Sequence, residues 1–223
     1  MARQELDDRK GNIREETKQK IILGATELFL EQGYEKTTIR QIALKTGILT
    51  GSLYYAFKNK EDIFSEIVIE AAMQSIREAR VVLTSESSML DRILFPLCLE
   101  IYAAYRSPRI AELLAIASKQ QQIRGRVIEW MTDWMSEVGG FVNLPIDKVE
   151  MSRRMNLCVG ATGAMLESIQ NDPNYYDVKG SMNLICEVYM NLLGVPTTWL
   201  SSTVDRIYDV MSNNEITICN IEI

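Results

Sequence analysis

The chain has no histidine among its 223 residues, which removes the commonest general base and the commonest metal ligand. Its four cysteines, Cys98, Cys158, Cys186 and Cys219, lie far apart with no C-x-x-C spacing, so no zinc or thiol-redox motif is indicated. Three of them sit among apolar residues and read as buried free thiols. Neither G-x-S-x-G nor G-x-x-x-x-G-K-[ST] occurs, and the carboxylates do not cluster. A helical enzyme is therefore the remote alternative, and no metal or cofactor is expected. No apolar run approaches the roughly 18 residues that cross a bilayer, and the opening MARQELDDRKGNIREE has no apolar signal-like stretch. The expectation is a cytoplasmic protein with no membrane partner. One further absence is local. Between Lys36 and Lys60 there is no Asp or Glu, while the same window holds Lys36, Arg40, Lys45, Lys58 and Lys60.

What is present is the composition of an ordinary globular protein, 47% hydrophobic and 24% charged, with a net charge of −6. The charge is unevenly placed: residues 1–60 carry 11 Lys/Arg against 8 Asp/Glu, and the remainder carries 13 against 22. A basic working end on an acidic body suits a polyanionic partner at the N-terminal side.

Apolar periodicity is helical throughout. Residues 1–15 are charged and read as a frayed arm or an extra helical turn. Ile21, Ile22, Ala25, Leu28 and Phe29 form one face of a helix from Thr17 to Gln32, closed by Gly33. Thr38 and Gln41 fit a capping box. A short helix then buries Ile42 and Ala43 and stops at Gly47. Ile48 re-enters the core, and another helix over about Leu49–Phe57 turns Leu53 and Phe57 inward. Asn59 caps a long helix from Lys60 to Leu83, with Glu61 and Asp62 in its first turn. Further helices are expected over Ser87–Tyr105, with Pro96 as a kink, and from Ser107-Pro108 to Lys119. Others follow over Ile123–Val138, closed by Gly139-Gly140, and over Asp147–Ile169, Asp177–Leu193 and Thr197–Met211. The tail from 215 to 223 reads either as an edge strand or as an unstructured end.

Two short helices joined by a tight turn match the helix-turn-helix scheme, in which the second enters the major groove of DNA. The residue identities go further. The run T-T-x-x-x-I-A-x-x-x-G-I-x-x-G-x-L-Y-Y-x-F-K-N-K-E-D-I, Thr37 to Ile63, resembles the DNA-binding domain of the tetracycline-repressor (TetR) family, with Leu53, Tyr54, Phe57 and Lys60 as its core. The resemblance covers roughly Thr17 to Ile63. It implies an all-α homodimer that binds double-stranded operator DNA, usually as a repressor released by a small-molecule effector. A regulator without such a ligand, controlled by a partner, is the alternative. The fold expected is an N-terminal three-helix helix-turn-helix domain (residues 1–62, including the arm) joined by a long helix to a larger helical ligand-binding and dimerisation domain (63–223).

Carried over by position, Thr38 and Arg40 would contact phosphate. Thr50, Gly51 and Ser52 would approach bases or backbone. Tyr54 and Tyr55 would contact phosphate, Tyr55 also a thymine methyl, and Lys60 would clamp another phosphate. Two positions depart from the family pattern. Leu49 stands where a serine cap is frequent, which would draw Thr50 into capping, and Ala56 replaces a histidine or aromatic residue. Because the recognition helix has no Arg, Lys, Asn or Gln before Lys58, the strongest bidentate base contacts are absent from it, and specificity would rest on hydroxyls, methyl contacts, Arg40 and DNA shape.

Beyond residue 63 the residues suggest less. Gly160, Ala161, Gly163 and Ala164 cluster on one helix and would admit a close helix crossing, either between subunits, as the resemblance implies, or within the chain. Bulky soft side chains, Phe95, Cys98, Tyr102, Trp130, Trp134 and Cys158, are candidates to line a mostly apolar ligand cavity, and suit an ordinary core equally well. The acidic body leans toward neutral or cationic ligands, with Glu100, Asp133 or Glu167 as a counter-charge.

Overall fold

A computed structural model describes residues 2–141, 144–172, 174, 177–218 and 221–222. Cys219 and Ile223 lie outside them, as do the side chains of the first thirteen residues. Two compact units divide the chain, Met1–Ile67 and Val68–Ile223. The division falls inside a helix rather than at residue 62, because the first turns of that helix complete the core of the first unit.

The first unit contains α1 (Ala2–Gln32), α2 (Ile39–Thr46), α3 (Thr50–Ala56) and the start of α4 (Lys60–Val82). The charged opening stretch is a continuation of α1 rather than an arm. Ile21, Ala25, Phe29, Ile42, Leu53, Phe57 and Ile63 are buried, as their spacing requires. Three rings form the centre of this core: Phe29 lies edge-on to Tyr34 at 5.2 Å and to Phe64 at 5.3 Å, and Tyr34 stacks on Phe64 at 4.7 Å. Such contacts add about 0.5–1.5 kcal/mol each beyond their burial. α1 and α2 cross closely at Gly24, where a Cβ would meet Thr46 Cγ2 at 2.5 Å. Gly47, at φ 65°, ends α2 in the left-handed conformation and turns the chain toward α3.

The second unit holds the rest of α4 with α5 (Met89–Arg106), α6 (Pro108–Lys119), α7 (Gln121–Phe141), α8 (Lys148–Asn171), α9 (Val178–Leu193) and α10 (Leu200–Ser212). α5 lies at its centre. It packs on α6, α8, α9 and α10, and Leu94, Phe95, Leu97, Cys98, Leu99, Ile101 and Ala103 on it are buried. A Ser88–Asp91 capping box starts this helix, and Arg206 of α10 reaches back to the buried Asp91 at 2.8 Å. α5 retains helical assignment through Pro96. α7 likewise continues through Gly139 and Gly140 to Phe141, since helical glycine costs only about 1 kcal/mol and does not forbid the helix. The tail forms two short antiparallel strands, β1 (Thr217–Ile218) and β2 (Ile221–Glu222). Ile216 and Ile218 are buried.

Candidate nucleic-acid interface and cavity

The front of the first unit is built by α2, its turn and α3. Thr38 caps α2: its Oγ1 accepts from Gln41 N at 3.3 Å and donates to Gln41 Oε1 at 2.9 Å, while Thr38 N donates to Gln41 Oε1 at 2.8 Å. The Thr38 hydroxyl proton is thus already engaged within the domain. Arg40, two residues further, is exposed and has no ion-pair or hydrogen-bond partner among the described residues. Leu49 occupies the N-cap of α3 without any side-chain capping bond. Thr50 is the first helical residue, so its hydroxyl is not drawn into capping. Gly51 is exposed and an added Cβ would meet nothing within 4 Å; no internal packing calls for glycine here. Ser52 is exposed beside it, and Tyr54 and Tyr55 project outward, Tyr55 at 76% exposure.

Lys60 has a different role from the one its position suggests. Its Nζ donates to Tyr34 O at 2.8 Å and Thr37 O at 3.0 Å and lies 4.1 Å from the centroid of the Tyr34 ring. Two carbonyls and a ring face bind the first turn of α4 to the loop after α1, so a phosphate contact from Lys60 would be secondary to this anchoring. Lys45 is also engaged. Glu27 and Glu31 on α1 hold it at 2.9 and 3.1 Å, and their hydrogen bonds raise its pKa above the usual lysine value. The carboxylate-free window therefore offers Lys36, Arg40 and Lys58 as cations unpaired among the described residues. Sequence reasoning missed three surface residues here. Leu44 (84% exposed) and Leu49 (79%) present apolar surface, and Arg14 lies 5.5 Å over the Tyr55 ring. Leu49 could have been found from its place off the buried stripe.

The second unit contains a cavity of about 110 Å³ walled by α4, α5, α6, α7, α9 and Ile218 of the tail. Of the sequence candidates, Trp130 and Trp134 line it, their rings stacked 6.0 Å apart. Phe95, Cys98, Tyr102 and Cys158 do not, for a reason of helical phase. On α5, Ile93, Leu97 and Glu100 make the stripe that faces the cavity. Phe95, Cys98 and Tyr102 lie on the opposite side, where Cys98 Sγ is 3.6 Å from Cys186 Sγ and Tyr102 meets Tyr208 edge-on. The Cys98 thiol is held well above its ordinary pKa by its Cys186 contact and then by burial; burial pushes the Cys158 thiol up to about 12. Neither is a nucleophile.

Of the three candidate counter-charges, Asp133 pairs with Lys148 at 2.6 Å and Glu167 with Lys119 at 2.8 Å. Glu100 has no hydrogen-bond or ion-pair partner among the described residues. It faces the cavity, and removal from bulk water raises its pKa to about 7. A smaller cavity of about 50 Å³ adjoins the first through shared walls at Glu100, Met131 and Tyr189, and adds Arg124, Ser118 and Thr162. There Thr162 Oγ1 and the Tyr189 hydroxyl are 3.1 Å apart, and Arg124 Nη2 donates to Asn156 Oδ1 at 2.7 Å.

The small residues of α8 divide. Gly163 is buried against α6, where an added Cβ would fall 2.6 Å from Ser118 Cβ, so it serves a crossing within the chain. Gly160 and Ala164 are exposed, Ala161 is half-buried, and Leu157 beside them is exposed. Among the described residues no group of His, Cys, Asp and Glu could hold a metal ion, and no helix is long and apolar enough to cross a membrane.

Residues 21–67 match the family model for bacterial regulatory proteins, tetR family. The HTH-type transcriptional repressor BepR of Brucella suis is 40% identical over 53 residues, 24% of this chain and 25% of that protein. The chain thus matches only about a quarter of that relative's length. The fatty acid metabolism regulator protein of Bacillus subtilis is 22% identical over 139 residues, 61% of this chain and 72% of that protein. The crystal structure of RolR in complex with resorcinol superposes with a TM-score of 0.64 at 14% identity, covering 88% of this chain and 96% of that one. At that identity the likeness is one of fold.

Proposed function

We propose, from the match of residues 21–67 to the family model for bacterial regulatory proteins, tetR family, that the chain is a transcriptional regulator, a homodimeric repressor released from double-stranded operator DNA by a small, mostly apolar effector. The observation that carries the DNA-binding part is the exposed set of Arg40, Thr50, Gly51, Ser52, Tyr54 and Tyr55, within a stretch of sequence, Lys36 to Lys60, that has no carboxylate. Arg40 grips phosphate as a full charge, and Tyr54 and Tyr55 donate to phosphate through their hydroxyls. Thr50, Gly51 and Ser52 allow close approach of the α3 front to the groove. Leu49 adds a surface suited to a thymine methyl.

Effector binding is supported by the cavity and by its walls. Val68, Ile69, Ala72 and Ile76 of α4 line it, and the first turn of the same helix is anchored by Lys60 to the Tyr34 and Thr37 carbonyls. A ligand that repositions the middle of α4 acts on the same continuous helix whose first turn Lys60 anchors. RolR, which shares the fold, is recorded with resorcinol bound. Dimerisation is assigned to the exposed face of α8 at Leu157, Gly160, Ala161 and Ala164, with Leu184 of α9. A twofold pair would set two α3 helices about one DNA turn apart, roughly 34–36 Å.

The test is selection of a duplex from random sequence, followed by affinity as a function of salt. Arg40→Ala should weaken binding by about tenfold and reduce the slope of log affinity against log salt by about one. Unchanged affinity and slope in Arg40→Ala would remove this surface from the interface.

A further inference from the structure

The geometry points to a small apolar amine as the occupant of the second unit's cavity, with its ammonium on Glu100 and its hydrocarbon body against Trp130, Trp134 and Leu97. This rests on the effector reading above and specifies its chemistry. Among the described residues, Glu100 is the one charged side chain that lines the larger cavity. The remaining walls are aliphatic, aromatic or thioether, apart from the Ser75 and Tyr189 hydroxyls, and both of those are engaged: Ser75 donates to Ala72 O at 2.7 Å and Tyr189 pairs with Thr162.

A carboxylate enclosed by apolar walls without a partner is costly unless something pairs with it. Asp133 and Glu167, in the same unit, have found lysines; Glu100 has not. Among the described residues the one cation that lines the adjoining cavity, Arg124, donates to Asn156. An ammonium ion would supply both the charge and the hydrogen-bond donors that Glu100 lacks, and the indole faces favour a cation over an anion. A carboxylate ligand would meet Glu100 as a like charge with no cation in the larger cavity to offset it.

Size narrows the class further. An engineered cavity of about 150 Å³ holds benzene, so the 110 Å³ here is of the order of a single small ring.

The full-length protein, without DNA, is titrated by calorimetry with benzylamine, benzyl alcohol and benzoate at about pH 8, where benzylamine is a cation and Glu100 is largely ionised. The expected order is benzylamine tightest and benzoate weakest. Glu100→Gln should lose about tenfold or more for benzylamine while binding benzyl alcohol as well as before. Retained alcohol binding also shows that the variant keeps its cavity. Should Glu100→Gln fail to fold, competition between benzylamine and benzoate on the unaltered protein decides alone. Benzoate binding as tightly as benzylamine, no binding of benzylamine, or an unchanged amine affinity in Glu100→Gln overturns the proposal. Because no DNA is present, these failures leave the operator-binding surface untouched. Conversely, an amine that binds without releasing DNA would refute the effector reading alone.

Discussion

Each unit holds unpaired charges that bear on function, and their settings are opposite. In Met1–Ile67 the cations Lys36, Arg40 and Lys58 are exposed and unpaired among the described residues, in a stretch of sequence that has no carboxylate. In Val68–Ile223 surface pairs such as Lys119–Glu167, Lys148–Asp133 and Lys179–Asp205 satisfy one another, and Glu100, unpaired among the described residues, lines a largely apolar cavity. An exposed charge without a partner costs little and waits for a polyanion to displace its water and salt. An enclosed one raises its own pKa and selects a ligand of opposite charge. The same deficit thus reads as a DNA surface in one unit and as a ligand determinant in the other.

The most severe way to break this comparison is to unfold one side of it. Phe29→Ala removes the ring at the centre of the Phe29–Tyr34–Phe64 cluster and should destabilise the first unit by about 3–5 kcal/mol. Duplex binding should vanish while calorimetric binding of benzylamine by the second unit persists. Loss of both together would mean that the units do not stand apart.

A smaller effect sharpens the second side. Glu100 holds its proton to about pH 7 in the folded chain, against an ordinary value of 4.5. The folded state therefore binds more protons than the unfolded one between those values, and stability falls as pH rises through that window. Glu100→Gln lacks this term. Chemical denaturation should find it more stable than the unaltered protein by roughly 1–3 kcal/mol at about pH 8, with the difference gone near about pH 4. Equal pH profiles would show that Glu100 is solvated and not a determinant of the cavity.

The smallest effect concerns Gly51. Alanine there has open space for its Cβ and should stabilise α3 by about 0.5–1 kcal/mol, as thermal denaturation would register. Duplex affinity should nonetheless fall, because the methyl stands where DNA backbone approaches. Increased stability with unchanged affinity would move the interface away from the front of α3.

The first unit was far more legible in the sequence than the second. Caps, glycines and apolar spacing gave α2, α3 and the turn, because Thr38, Gln41 and Gly47 act through neighbours within a few residues. Lys60 was not legible in the same way. Its partners Tyr34 and Thr37 are remote in sequence, and its position alone suggested a phosphate contact. In the second unit, helix existence followed from periodicity, but which face of α5 meets a void depends on how α4, α7 and α9 pack around it. Phe95, Cys98 and Tyr102 are as bulky and apolar as true lining residues, yet lie on the opposite stripe from Ile93, Leu97 and Glu100. Gly163 and Gly160 are equally small, and only the packing of α6 separates the buried one from the exposed one. The cavity role of Ile218 had no local signal, since it arises from the tail folding back against the helices of its unit.

The measurement that joins both regions is fluorescence anisotropy of a selected duplex bound to the full-length protein, titrated with benzylamine and, separately, with benzoate at equal ionic strength. The account predicts that benzylamine releases the duplex from the unaltered protein, that benzoate does not, and that Glu100→Gln holds its duplex through the same titration. A complex that survives saturating benzylamine, or one released equally by both compounds, would contradict it.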